Sequence, residues 1–469
     1  MVEPGATTSP TGPPGSPAGR RAPANPAYIV LIALSVGLAL ADASVVVLAL
    51  PELYATFGVS LVEVSWVITS YNVAVVAGAA VLLAVRVRPG RLTAFGSVVF
   101  AVSSVVCGVA PSFAVLVAGR AVQGLGAACL LIGSLPFLVS LTGSEERARS
   151  VWGGAGALGV AAGPALGGVL TQLFSWRGIF WVQAPLAALA LIASLRQRSG
   201  SETGVGPAQV TLAAGLADVA FVALFASLVG ALFLSVLLFI VVWGYSPLNS
   251  AVVVSVLALG TLAVGPLGRA LPRWVAALSG GWMLSGGLLC LAWLPATNAG
   301  YAASALGFCG CGFGLVNAVL ERRSLPEGSE LGRPGNLVIG AKHVGFVLGL
   351  LVVAPALAGA LTSATRTATA NAAAVVLDAP LELKVKVPLA LDMKDLVGQA
   401  RRGELPDLRG PFDRRAGSGP AVTETRDEVT GAVEATITRA FRPSFVAAAL
   451  FAVAATIVAV GVALEGDPE

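Results

Sequence analysis

Twelve apolar runs, each about as long as a bilayer is thick, leave this chain few ways to fold. They lie near 28–50, 63–85, 92–110, 113–141, 149–173 and 178–195, then near 219–243, 248–268, 274–294, 299–320, 335–361 and 443–464. A helix needs about 20 apolar residues to cross the hydrocarbon core. Only helices and closed barrels satisfy every backbone donor and acceptor there, and runs of this length read as helices. The sequence therefore predicts an all-α polytopic membrane protein with twelve transmembrane helices in two six-helix bundles, 28–195 and 219–464, joined by a linker, 196–218. Charge agrees: 12% of residues are charged, against about 25% in a soluble domain.

What lies between the runs sets the orientation. Arg20, Arg21, Arg86, Arg88, Arg91, Arg147, Arg149, Arg196, Arg198, Arg269, Arg273, Arg322, Arg323 and Arg333 fall on one side of the predicted membrane, and the short loops of the other side hold Arg177. Positive charge marks the cytoplasmic face, so both termini are expected inside. Residues 1–27, rich in Pro, Gly, Ser and Thr, read as a disordered cytoplasmic tail and lack the cleavage pattern of a signal peptide. Residues 362–442 form a polar insertion between spans 11 and 12, expected outside. Within it "LELKVKVPL" (381–389) alternates like a short strand, and 390–402 and 421–441 read as amphipathic helices. A solvated cap and an extracytoplasmic docking surface are both open readings of it. The five cysteines all fall inside apolar runs and read as small apolar helix residues.

Ionisable residues deep in a membrane are costly and mark function by default. Asp42 lies about 21 Å from the inner face and Arg120 about 12 Å below the outer one at helical rise. In a core of about 30 Å the two depths nearly coincide. A pair between them would serve either proton coupling or static packing. His343, about 10 Å into span 11 from inside, either carries a proton or makes a polar contact near the cytoplasmic mouth, with Lys342 snorkelling to the interface. Asp218 and Glu321, at span ends, read as solvated or capping residues. Trp66, Trp176, Trp181 and Trp274 fit an aromatic belt, while Tyr71, Asn72 and Gln123 are candidates for a substrate cavity. Span 5 carries "GVAAGPALGG" (159–168), with Gly159, Gly163, Pro164, Gly167 and Gly168 inside an apolar run. Small residues at four-residue spacing let helix backbones approach closely in lipid, and Pro164 bends the helix.

That stretch resembles the span-5 antiporter motif of the major facilitator superfamily. "LVAGRAVQGLGAA" (116–128) resembles the family's span-4 motif, with Arg120, Gln123, Gly124 and Gly126 in place. "LADASVVVLALPEL" (40–53) is similar to the span-1 motif of its drug-export branch, and "SWVITSYNVA" (65–74) and "SWRGIFWVQAP" (175–185) to further segments of that branch. Two features depart from the pattern: the loop "AVRVRPGRLTAFG" lacks the family's Asp, and the two central extra spans common in the branch are missing. The resemblance implies secondary active export of small apolar or amphipathic compounds by proton antiport in a bacterial plasma membrane, with alternating access between the two bundles. Asp42, Arg120 and His343 would carry the coupling. The partners implied are the lipid bilayer, a small-molecule substrate and protons; no enzyme activity, cofactor, metal or nucleic acid is expected. Uptake by the same fold, and a transporter-like sensor using 362–442, are the alternatives.

The topology is directly testable. A cysteine placed at Ser418 is expected to react with a membrane-impermeant maleimide in intact cells. Labelling only after lysis would contradict an outward insertion.

Overall fold

A computed structural model of the chain describes residues 25–85, 87–196, 212–294, 297–324, 332–399, 410–414 and 420–465. It is helical throughout, with no strand among the described residues. In chain order the helices are α1 (Pro26–Val47), α2 (Leu50–Phe57), α3 (Leu61–Ala84), α4 (Pro89–Gly108), α5 (Phe113–Thr142) and α6 (Glu145–Arg196). There follow α7 (Leu212–Leu237, ending in a π turn over Leu238–Val242), α8 (Pro247–Ala270), α9 (Arg273–Ala292), α10 (Ala299–Ser324) and α11 (Gly332–Asp378). The last four are α12 (Leu383–Gln399), α13 (Gly410–Asp413), α14 (Pro420–Ala440) and α15 (Arg442–Leu464).

Local chemistry sets the helix ends. Pro26, Pro89 and Pro247 stand in the first turn of α1, α4 and α8, where a missing N–H costs nothing. Ser60 caps α3 in a reciprocal box with Glu63, its hydroxyl accepting from Glu63 N–H while Ser60 N–H donates to the Glu63 carboxylate. Gly58 and Gly143 take the left-handed conformation that closes α2 and α5.

Ten helices among the described residues are long and apolar enough to cross a membrane. The longest, α6, has 52 residues and would measure about 78 Å if straight, more than twice the hydrocarbon core. It holds both the 149–173 and the 178–195 runs and breaks between them at Ser175, whose φ of 61° and ψ of 177° lie in a region nearly reserved for glycine. The outer surface is apolar, with Phe95, Leu158, Leu173, Leu195, Trp282 and Ile457 well exposed. A contiguous apolar surface of this kind needs lipid to cover it.

The contact of α6 with α1 is the most extensive in the molecule, and glycine makes it possible. A Cβ on Gly159 would overlap the Gly37 carbonyl, one on Gly163 the Ser44 hydroxyl, and one on Gly167 the Val45 carbonyl. Gly168 turns the other way, against Ala251 and Pro247 of α8. One helix thus closes on its own bundle through three glycines and on the opposite half through a fourth. A second such contact, α3 on α11, joins the halves elsewhere.

Several readings change. Residues 383–389 are helical, not extended: Val385 and Leu389 follow Leu381 at four-residue spacing and pack inward, so the same residues satisfy a helical period as well as an alternating one. Residues 362–378 continue α11 beyond the apolar run, and α14 packs against that helix; residues 400–402 lie outside the described residues. The first helix begins at Pro26 and α7 at Leu212, six residues before the expected end of the linker; the rest of the tail and residues 197–211 lie outside the described residues. Trp176 is buried against Phe57 and Phe180 rather than standing in a belt, while Trp66, Trp181 and Trp274 are exposed.

The glycine contact gives a comparison within one helix. Gly163→Leu must push α1 from α6, an overpacking of about 1–3 kcal/mol. At Gly153 a Cβ meets nothing within 4 Å. Gly163→Leu is therefore expected to lower the melting temperature of the purified protein and Gly153→Leu to leave it nearly unchanged; equal shifts would contradict the packing.

Candidate functional site

Asp42 sits near the C-terminal end of α1 and Arg120 in the first third of α5, both without solvent exposure. Their side chains meet in a two-bond fork. Arg120 Nη1 donates to Asp42 Oδ1 at 2.9 Å and Nη2 to Oδ2 at 2.5 Å. Taking two ions out of water costs several kcal/mol each, which mutual attraction repays only when the remaining donors and acceptors are also satisfied. Here they are. Arg120 Nε donates to the Val67 carbonyl at 2.9 Å and Nη1 also to Gln123 Oε1 at 2.6 Å. Gln183 Nε2 donates to Asp42 Oδ1 at 2.9 Å, while Gln183 Oε1 accepts from Gln123 Nε2 at 2.9 Å. Gln123 Nε2 also reaches Ser104 Oγ at 2.7 Å. Helices α1, α3, α4, α5 and α6 each contribute a group, so the ion pair is the polar centre of the N-terminal bundle.

An aromatic chain leads from this centre to the other half. The Arg120 guanidinium lies 4.4 Å from the centroid of the Tyr71 ring, and the Tyr71 hydroxyl donates to the Ala39 carbonyl. The next residue, Asn72, contacts His343 of α11, Oδ1 to Nδ1 at 2.5 Å, with the Tyr71 and His343 rings 6.2 Å apart. Phe346 continues the line, 6.1 Å from His343. His343 therefore stands level with the middle of α3. Its neighbour Lys342 pairs with Glu321 near the end of α10 at 2.9 Å, over the rings of Phe221 and Phe225, and the Glu321 side chain keeps 44% exposure. Asp218 keeps a buried Oδ1 without a partner among the described residues.

Tyr71, Asn72 and Gln123 are all fully buried, with their polar atoms bonded inside the protein. The structure brings Asp42, Arg120, Gln123 and Tyr71 into one cluster, and Asn72 with His343 into the adjoining one. Gly159, Gly163, Gly167 and Gly168 form the separate packing surface described above. Sequence reasoning missed Gln183 and Ser104. The signal for Gln183 was present in "WVQAP", an amide surrounded by apolar residues in mid-span; Ser104 gave none, because helical serines usually bond their own backbone.

Residues 32–321 match the family model described as Major Facilitator Superfamily. The multidrug resistance protein Stp of Mycobacterium tuberculosis (strain ATCC 25618 / H37Rv) is 37% identical over 174 residues, which are 36% of this chain and 32% of that protein. The methylenomycin A resistance protein of Bacillus subtilis (strain 168) is 36% identical over 177 residues, 36% of this chain and 37% of that one. The match thus spans about a third of the length of these curated relatives. Among solved structures, a bacterial homolog of the human lysosomal transporter Spinster, inward-facing and occupied, superposes with a TM-score of 0.68 at 16% identity, covering 94% of this chain and 97% of that one. A D-xylose–proton symporter gives 0.58 at 14% identity over 70% and 89%. These likenesses are of fold. The chain belongs to the Major Facilitator Superfamily, a family of multi-pass membrane transporters and not of enzymes.

Proposed function

We propose that this chain exports small apolar or amphipathic compounds by proton antiport across a bacterial inner membrane, with Asp42 as the group that takes and gives the proton. One observation carries the reading: the fully buried Asp42–Arg120 fork abuts, through Tyr71 and Asn72, a direct contact with the other half of the molecule. The resistance and efflux names of its relatives support the direction of transport.

The proposed cycle uses only these groups. Protonation of Asp42 removes the charge that holds the Arg120 fork. Arg120 keeps its neutral acceptors, the Val67 carbonyl and Gln123 Oε1, and is free to shift over the Tyr71 face. Tyr71 and Asn72 are consecutive in α3, so that shift reaches the Asn72–His343 contact between the halves. Coupling of this kind needs an element with two arrangements that both sites bias, and α3 is that element here. Release of the proton inside would restore the fork.

The membrane arrangement we infer has twelve crossings, both termini inside and 362–442 outside. The break of α6 at Ser175 supplies two crossings within one helix, and the arginine asymmetry supplies the orientation. In it, 28–195 and 219–464 act as the two rocking bundles.

The test is transport in proteoliposomes under an imposed pH gradient, with a panel of lipophilic cations and neutral drugs. Asp42→Asn keeps size and one acceptor but cannot titrate. Export against a concentration gradient is expected to fall to background, while downhill exchange of the same compound persists. Uphill export at the wild-type rate would remove Asp42 from the mechanism. Gln183→Leu leaves Asp42 and Gln123 one bond short each and is expected to lower stability by about 1–2 kcal/mol, read as a lower melting temperature; an unchanged melt would show that Gln183 does not support the pair.

A further inference from the structure

Two arginines hold equivalent places in the two halves. Arg177 stands where the sixth apolar run begins, and Arg442 opens α15, which holds the twelfth. Each reaches the end of the third run of its own half. Arg177 Nη1 donates to the Gly108 carbonyl at 2.8 Å and Nη2 to the Ala110 carbonyl at 3.1 Å, with the guanidinium 4.3 Å from the Trp176 ring centroid. Arg442 Nε donates to the Ala292 carbonyl at 3.3 Å, with the guanidinium 5.0 Å from the Trp293 ring centroid. Both thus serve the end of a span, where carbonyls lack helical partners. The difference lies in what is left over. Arg177 spends both Nη nitrogens inside the protein. Arg442 spends neither: its Nη1 and Nη2 have no hydrogen-bond partner among the described residues.

A second guanidinium lies beside it. Arg439, three residues earlier, is exposed, and α14 runs into α15 through Phe441 with helical dihedrals, so the two arginines share a face. Arg439 Nε bonds back to the Ala435 carbonyl at 3.0 Å, and its Nη nitrogens are likewise without a partner among the described residues. Like charges at this spacing repel, and the protein supplies little to offset them. The sequence holds no acidic residue between Asp218 and Glu321, and α11 holds none before Asp378. On the helix itself Glu434 is five residues before Arg439, and about 100° per residue turns it well round the axis. No other follows before Glu465. Depth decides what the pair meets. Arg442 directly precedes the run 443–464, and Trp293 and Tyr301, where α9 ends and α10 begins, are exposed. Trp and Tyr gather at the level of lipid headgroups, so the guanidiniums open on phosphates.

We propose that Arg439 and Arg442 form a binding site for the phosphate of an anionic phospholipid, with Trp293 as the apolar wall beside it. A guanidinium matches phosphate oxygens with parallel N–H bonds. A phosphodiester between the two arginines takes donors from both and removes their mutual repulsion. A zwitterionic headgroup brings its own cation to the same place and gains less. The bound lipid would brace the junction at which α14 of the insertion becomes the last span, and it would do so beside the bond that ties α15 to the end of α9. The inference stands whether or not Asp42 carries a proton. It also stands whichever way the chain faces, because the end of the apolar run sets the depth in either leaflet.

Native mass spectrometry of the purified full-length protein, titrated in neutral detergent with phosphatidylglycerol or phosphatidylcholine, tests this by counting bound lipid. The wild type is expected to hold a phosphatidylglycerol that phosphatidylcholine at equal concentration does not displace. Arg439→Gln changes a side chain bonded only to its own helix, and Arg442→Gln keeps a nitrogen where Nε reaches Ala292. Each is expected to weaken that lipid about fivefold, the scale of one guanidinium facing an anionic membrane, with phosphatidylcholine binding as before. A photoactivatable phosphatidylglycerol is expected to label peptides containing Trp293 or Arg442 in the wild type and to lose that label when both arginines are changed. Unchanged phosphatidylglycerol affinity in the double variant would overturn the site, and so would labelling confined to other segments. Displacement by glycerol 3-phosphate at equal concentration would overturn it too, by making it a site for soluble phosphate. An equal loss of both lipids would do the same, since the arginines would then act through packing alone.

Discussion

A carboxylate and a guanidinium held out of water at the centre of one bundle dictate much of what surrounds them. Asp42 and Arg120 cannot be left with a free donor or acceptor, because the medium offers no water to take it up. Gln123 and Gln183 close a ring of amides around them, Val67 lends a backbone carbonyl, and Tyr71 covers the guanidinium face. Each of these groups sits on a different helix from at least one of its partners. The pair therefore fixes how α1, α3, α5 and α6 are rotated against one another. Groups from several helices thus depend on one charge state of the pair.

The glycines of α6 serve the same end by different physics. In lipid there is little hydrophobic gain in bringing two apolar helices together, so association rests on close packing and on polar contacts. Gly159, Gly163 and Gly167 place α1 backbone to backbone with α6, which sets Asp42 within reach of Gln183 on the far limb of the same helix. Breaking α6 at Ser175 lets that limb turn back. The Glu52 carboxylate holds the restart, so the first and sixth apolar runs are tied near α2 as well as at the centre.

Much of the fold was legible because lipid leaves few options. Each apolar run matches a helix or helix limb to within a few residues at its ends, and the depth arithmetic that set Asp42 level with Arg120 needed only helical rise and bilayer thickness. Side-chain direction was not legible. The sequence reads Lys342 as a snorkelling residue, and its pairing with Glu321 shows only once α10 and α11 are seen together. Trp176 carries the same ambiguity, as a belt residue in sequence and a core residue in the structure. The misreading of 381–389 has a plainer cause: nine residues with apolar groups at every fourth position also alternate, and no second segment was available to pair with a strand. Gln183 was overlooked because an uncharged amide gives little signal in a hydropathy pattern, although in lipid its bonding demand is nearly as strict as that of a charge.

The central claim is that Asp42 exchanges a proton as cargo binds and leaves. Proton release from the purified protein on adding cargo, read with a pH indicator in weakly buffered detergent solution, measures it most directly. By linkage, a cargo that prefers one protonation state must shift proton occupancy. A change in proton occupancy on cargo binding is expected from the wild type and none from Asp42→Asn. Release of the same size from Asp42→Asn, or none from the wild type under conditions where cargo binds, would contradict it.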